Sequence, residues 1–149
     1  MLININPLLS ADLLHALRSM GHGDELTLVD ANFPAASNAR RLIQLDGADL
    51  LQAGAAILSV FPLDSFVEYA VLRMEVVDKP KEIPPVQKDF QKILDGAAGR
   101  KIKMGSIERH AFYERARASY AIVATGERRP YGCITLVKGV LKPDGGVWW

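Results

Sequence analysis

One histidine in this chain stands between two glycines, in Met20-Gly21-His22-Gly23-Asp24-Glu25. Glycine brings no side chain to pack, so two of them around one imidazole shape the backbone to present the ring rather than bury it. An imidazole titrates near neutral pH and can deliver or accept a proton. Asp30, Asp64, Arg109, Tyr113 and Tyr131 fall in loops or at the ends of predicted elements. Together with His22 they describe a small polar site holding one acid or base, several hydroxyl-binding groups and no cofactor. That inventory suits a small neutral polyol. Carboxylates accept from sugar hydroxyls, arginine donates to them, and aromatic faces cover the apolar side. Each residue alone has a plainer reading. His22 can cap a helix, Asp30 can close a turn and Asp64 can cap the next element. Arg109 and the Glu114-Arg115-Ala116-Arg117 run can form a solvated face, and the two tyrosines can be half-buried packing residues.

Other chemistries find little support. Gly21-His22-Gly23-Asp24 lacks the third glycine of a dinucleotide fingerprint, and there is neither a Walker lysine nor a Gly-x-Ser-x-Gly elbow. Histidines 15, 22 and 110 do not have metal-ligand spacing, so no metal is expected. Cys133 is the single cysteine, which excludes an internal disulfide and fits a reducing compartment. Eighteen basic residues against seventeen acidic ones give a net charge of +1, so nothing argues for nucleic acid or a membrane surface as partner. No apolar run approaches the ~20 residues of a membrane span. The amino terminus lacks the basic start and apolar core of a signal peptide, and a cytoplasmic location is expected.

The elements that must position these residues alternate along the chain. Ser10–Met20 reads as a helix, with Ser10 as its cap, Leu13, Leu14, Leu17 and Met20 on one face, His15 on the solvated side, and Gly21 at its C′ position. Glu25–Asp30 reads as a strand, residues 31–38 as a loop, and Leu42–Leu45 as a strand. Ala48–Val60 reads as a helix so apolar all round that a second covering surface is expected, a neighbouring subunit among the candidates. Tyr69–Val77 reads as a strand. A helix starts at Pro85 and runs to about Leu94. Lys101–Met104 reads as a strand, Arg109–Ser119 as a helix, and Tyr120–Ala124 and Ile134–Val140 as strands. Residues 142–149 form a tail ending in Trp148-Trp149, either docked on a neighbour or disordered. The alternation predicts a single α/β domain over residues 1–149, a three-layer α/β/α sandwich with a mixed, mostly parallel sheet.

Several segments are now specific enough to compare. Gly21-His22-Gly23-Asp24-Glu25, Asp30-Ala31 with Phe33-Pro34, Leu63-Asp64-Ser65, Ala111–Ala116, and Thr125-Gly126-Glu127 with Tyr131-Gly132 follow one another at characteristic intervals. In order and spacing they resemble the L-fucose mutarotase / D-ribose pyranase family, from about Met1 to Leu141, and the fucose branch more than the ribose branch. The resemblance implies a cofactor-free isomerase acting on a monosaccharide, with subunits in rings of five stacked into decamers. It implies His22 as the catalytic acid, with Asp30, Asp64, Arg109, Tyr113 and Tyr131 lining the sugar; Tyr113 and Tyr131 are expected to orient the ring or relay the second proton. Cys133 stands where the family usually has asparagine, so a substrate contact at that side chain is weakened here. Two other readings remain: a ribose pyranase, and a monosaccharide-binding module without catalysis.

Overall fold

The computed structural model describes residues 1–149. Its first helix shows how local chemistry sets the elements. The Ser10 hydroxyl accepts the Leu13 amide at 3.2 Å and opens α1 (Ala11–Ser19), which buries Leu13, Ala16 and Leu17. The chain continues through β1 (Glu25–Val29), a one-turn α2 (Ala35–Asn38), β2 (Leu42–Leu45), α3 (Leu50–Leu58) and β3 (Val71–Met74). It is completed by α4 (Pro85–Ala98), β4 (Met104–Ile107), α5 (Arg109–Ala118), β5 (Ala121–Thr125) and β6 (Ile134–Val137).

The six strands form one sheet in the order β2-β5-β1-β6-β3-β4. Three neighbouring pairs are parallel, and β6 runs antiparallel to both β1 and β3. Period-two alternation divides the sheet residues between two cores. Leu26, Leu28, Val123, Ile134 and Leu136 face α1, α3 and α4. Val29, Ile122, Met74 and Cys133 face Phe112 and Ala116 of α5 and Ala35 of α2. The expected three-layer sandwich with a mixed sheet is therefore the observed one.

Several boundaries differ from expectation, each for a tertiary reason. Parallel pairing of Val71 with Met104 starts β4 at Met104, three residues beyond the predicted start. The preceding Ile102 is fixed instead by its backbone, whose amide donates to Asp95 at 2.9 Å and whose carbonyl accepts from Gln91 at 2.8 Å. The strand predicted over residues 69–77 is only Val71–Met74, and the 31–38 loop contains the short α2. α4 runs past the expected end near Leu94 to Ala98 and stops at Gly99 with φ +65°. Gly21 does not take the left-handed C′ conformation. Met20 leaves the helix extended, and the positive φ, +82°, falls on Gly23. The all-round apolarity of α3 is satisfied within the chain, because the helix lies between the sheet and α4. The tail is docked on its own subunit: Leu141 pairs with Val147, and the Arg100 guanidinium lies 3.9 Å from the Trp149 ring centre.

The α3–α4 contact generates a paired prediction. A Cβ on Gly54 would lie 2.5 Å from Cε2 of the fully buried Phe90, whereas one on Gly96 meets nothing within 4 Å. Gly54→Ala gains about 1 kcal/mol of helix propensity but incurs overpacking of about 1–3 kcal/mol. Gly54→Ala is expected to lower the urea unfolding midpoint and Gly96→Ala to raise it. Equal midpoints would show that the two helices part easily.

Candidate active site

Five of the seven predicted site residues meet at one end of the central strands. The carboxyl ends of β1, β3 and β4 and the turn into β6 surround a cleft of about 220 Å³ lined by Asp30, Arg109, Tyr113, Tyr131 and Cys133, with Asn32, Phe33, Met74 and Pro130. Strand carboxyl ends are where open α/β sheets bind ligands. Asp30, 5% exposed, accepts the Asn32 amide at 3.0 Å on Oδ1 and the Gly132 amide at 3.1 Å on Oδ2. The first bond closes the local turn of the plainer reading, and the second fastens the end of β1 to the turn entering β6. The Cys133 thiol lies 3.5 Å from the same Oδ2 and is 1% exposed. Burial pushes this thiol well up, and the Asp30 carboxylate pushes it further, so it stays protonated at neutral pH. It donates to Asp30 and is no nucleophile.

The tyrosines and the arginine are less occupied. Tyr113 packs edge-on to Phe33 with ring centres 4.9 Å apart. Tyr131 holds a left-handed backbone at φ +65°, a costly conformation for a tyrosine that surrounding contacts must enforce. Its hydroxyl accepts the Val77 amide at 3.4 Å. Arg109 is the first residue of α5, whose cap is Glu108, and its exposed guanidinium has one hydrogen-bond partner, His110 Nε2 at 3.4 Å.

His22 and Asp64 lie elsewhere. β1 runs from the His22 turn to Asp30, and five extended residues at about 3.3 Å each put roughly 17 Å between its ends. At the amino-terminal end, His22 Nε2 lies 3.2 Å from Asp64 Oδ1, and its side chain remains 50% exposed. A carboxylate only accepts, so Nε2–H donates and Nδ1 is left for a ligand. The ring meets Phe66 edge-on with centres 5.5 Å apart, and the Phe66 amide donates to the same Asp64 oxygen at 3.1 Å. An open groove of about 510 Å³ runs beside it, walled by Leu14, Leu17, Val60, Pro62, Val140 and Leu141. Asp64 and not Asp30 is thus the carboxylate that orients the imidazole. No three His, Cys, Asp or Glu side chains converge at metal-binding distance, and no helix is long and apolar enough to cross a membrane.

Residues 3–141 match the RbsD / FucU transport protein family. The chain belongs to this family. It is 45% identical over 140 residues to the fucose mutarotase of Homo sapiens, covering 90% of both chains. The crystal structure of the fucose mutarotase from Streptococcus pneumoniae in complex with L-fucose superposes with a TM-score of 0.88 at 40% identity, over 95% of this chain and 100% of that one. Bacillus subtilis RbsD complexed with D-ribose shares the fold, at a TM-score of 0.71 and 19% identity over 95% of this chain and 100% of that one.

Within the family segment, six supporting residues were not legible as site residues. Gln87 is fully buried, and its amide donates to the carbonyls of Met74 at 2.8 Å and Tyr131 at 2.9 Å. It holds Tyr131 in its left-handed conformation, and the signal for it was a polar residue on the apolar stripe of α4. Gln87 accepts in turn from the buried Arg73 at 3.2 Å, which also donates to the carbonyls of Glu82 and Pro80. Lys138 donates to the Leu17 and Met20 carbonyls at 2.6 and 2.7 Å, closing α1 beside His22, and burial lowers its pKa. In Thr125-Gly126-Glu127, Thr125 donates to Val29 at 2.8 Å. A Cβ on Gly126 would lie 2.2 Å from the Asp46 carbonyl oxygen. Glu127 pairs with Arg129 through both carboxylate oxygens at 2.9 Å.

Hydrogen bonds from Arg129 hold the buried Glu127 carboxyl at about 2, below the ordinary carboxylate value. A depressed folded-state value stabilises the protein above the unfolded value of about 4.3 and ceases to do so as pH falls towards 2. Glu127→Gln is therefore expected to lose about 1–3 kcal/mol at pH 7. The deficit should shrink as the pH is lowered through that window, as chemical denaturation at several pH values would show. A pH-independent deficit would assign the loss to packing instead.

Proposed function

We propose that the protein is a mutarotase that interconverts the α and β anomers of a monosaccharide, L-fucose before other sugars. The observation that carries this reading is the family membership across residues 3–141, with fucose mutarotases similar over nearly the whole chain. Mutarotation opens a cyclic hemiacetal and recloses it on the other face of the carbonyl. One proton must reach the ring oxygen and one must leave the anomeric hydroxyl. His22, oriented by Asp64 through Nε2, transfers a proton at Nδ1. Arg109 donates to sugar hydroxyls, Asp30 sets the Gly132–Cys133 backbone against the sugar, and Tyr113 or Tyr131 relays the second proton. No step requires a cofactor, because the uncatalysed reaction already proceeds in water.

The separation of His22 from the Asp30 cleft bears on assembly. One sugar cannot touch both ends of β1 in a single chain. The site is completed in a homo-oligomer, where His22 of one subunit enters the cleft of the next. The open apolar groove beside His22 and the exposed Val67 and Leu141 supply a surface for that contact. Rings of five stacked into decamers are the assembly this reading adopts, in the cytoplasm, which the free buried Cys133 accords with.

Two measurements check this reading. Saturation-transfer NMR on L-fucose, ribose, galactose and rhamnose is expected to show fastest anomer exchange on fucose. His22→Gln should reduce the catalysed rate by about 10²–10⁴-fold. Exchange at the wild-type rate in that variant would remove His22 from the mechanism. Inactive His22→Gln and Arg109→Ala proteins, unfolded and reassembled together, are expected to regain activity if His22 and Arg109 meet across a subunit boundary. No regain would place both groups of each site in one chain.

A further inference from the structure

The tail beyond the family segment makes a continuous set of contacts that ends at the catalytic imidazole. After Leu141 the chain turns through Gly145, with φ +85°, and returns so that Val147 pairs with Leu141 and the Trp148 amide donates to Val140 at 3.1 Å. The Trp148 carbonyl accepts the Ser65 hydroxyl at 2.7 Å. The Trp148 ring lies against Phe66, with centres 6.4 Å apart and planes inclined by 34°. Trp149 anchors the end of the hairpin, under Arg100 and beside Phe61 and Pro62. Ser65 and Phe66 are the residues that follow Asp64, and Phe66 touches both the His22 ring and, through its amide, the oxygen that orients it.

We propose that the C-terminal hairpin is a positioning element for His22, with Trp148 as its working residue. Phe66 is 62% exposed and has little else to hold its ring. A loop side chain left that free samples several rotamers, and the imidazole packed on it would do the same. Trp148 backs the Phe66 ring, and its carbonyl pins the Ser65 hydroxyl, so the Asp64–Phe66 turn keeps one geometry. Both contacts tie residues outside the segment shared with the family to a group inside it. The inference takes the proton-transfer role of His22 from the mutarotase reading, whereas the order of the His22 ring can be measured without it.

The test uses full-length protein with isotope-labelled histidine and phenylalanine. In Trp148→Ala, the cross-ring NOE between His22 and Phe66 is expected to weaken and the His22 resonances to broaden or move. Those of His15 on α1 and His110 on α5 should stay in place. On fucose, kcat should fall by about 10-fold with KM changed by less than about 2-fold, as for a small misplacement of a reacting group. Trp148→Phe, which keeps an aromatic face, should restore both readouts, and Ser65→Ala should reproduce part of the loss. A wild-type NOE in Trp148→Ala overturns the proposal, as does simultaneous movement of all three histidines, which marks a global effect. Absence of catalysed exchange in the wild-type protein would overturn the mutarotase reading alone, and the NOE would still decide the role of Trp148.

Discussion

The antiparallel insertion of β6 between β1 and β3 is the constraint on which the rest of the molecule depends. Leu28 lies opposite Ile134 and Glu25 opposite Val137, so the two ends of β6 flank the two ends of β1. The turn entering β6 carries Tyr131, Gly132 and Cys133 to Asp30. The residues leaving it, Lys138 and Gly139, are carried to His22 and to Asp64, whose amide bonds the Val137 carbonyl at 3.0 Å. One strand thus organises both groups of polar residues and holds them apart. Its registration is secured on the α5 side by the buried Thr27–Thr135 hydroxyl pair at 3.1 Å and on the other side by Ile134 and Leu136 in the larger core.

Many of the polar residues around the cleft act on the backbone. Asp30 bonds the Asn32 and Gly132 amides, Gln87 the Met74 and Tyr131 carbonyls, Thr125 the Val29 carbonyl, and Glu127 the Arg129 amide and side chain. A buried donor or acceptor left without a partner costs about 1–3 kcal/mol, so these networks leave the turns around the cleft little freedom. What remains open to a ligand is a short set: the Arg109 guanidinium, the Asn32 side-chain amide, the two tyrosine rings and, from the far end of β1, the Nδ1 of His22. Rigid surroundings with a few free polar groups suit a reaction that needs placement of two protons and no redox chemistry.

Cysteine at position 133 also finds a physical account. Its side chain is packed among Val29, Met74, Phe112 and Ile122, with the thiol on Asp30. A small, weakly polar side chain fills that core position at low cost. The carboxylate it faces is already satisfied by two amides, so the weak donor leaves Asp30 with its main partners.

The α/β class, the order of the elements apart from the one-turn α2, the Ser10 cap of α1 and the exposure of His22 were all determined by the sequence itself. They rest on local causes: hydrophobic period, capping oxygens and glycines flanking the ring. The family was legible too, because its motifs are short runs at fixed intervals. Tertiary structure alone decided which polar residues meet. The sequence distance from His22 to Asp30 is eight residues and that to Asp64 is forty-two, yet the carboxylate at the imidazole is Asp64. An extended strand separates near neighbours by its own length, and only the pairing of β1 with β6 brings distant ones together. The same holds for Gln87 and Tyr131, joined over forty-four residues, and for Trp148, which reaches Phe66 only because the tail folds back on Leu141. Those contacts are fixed by strand register and packing, neither of which leaves a local mark in the chain.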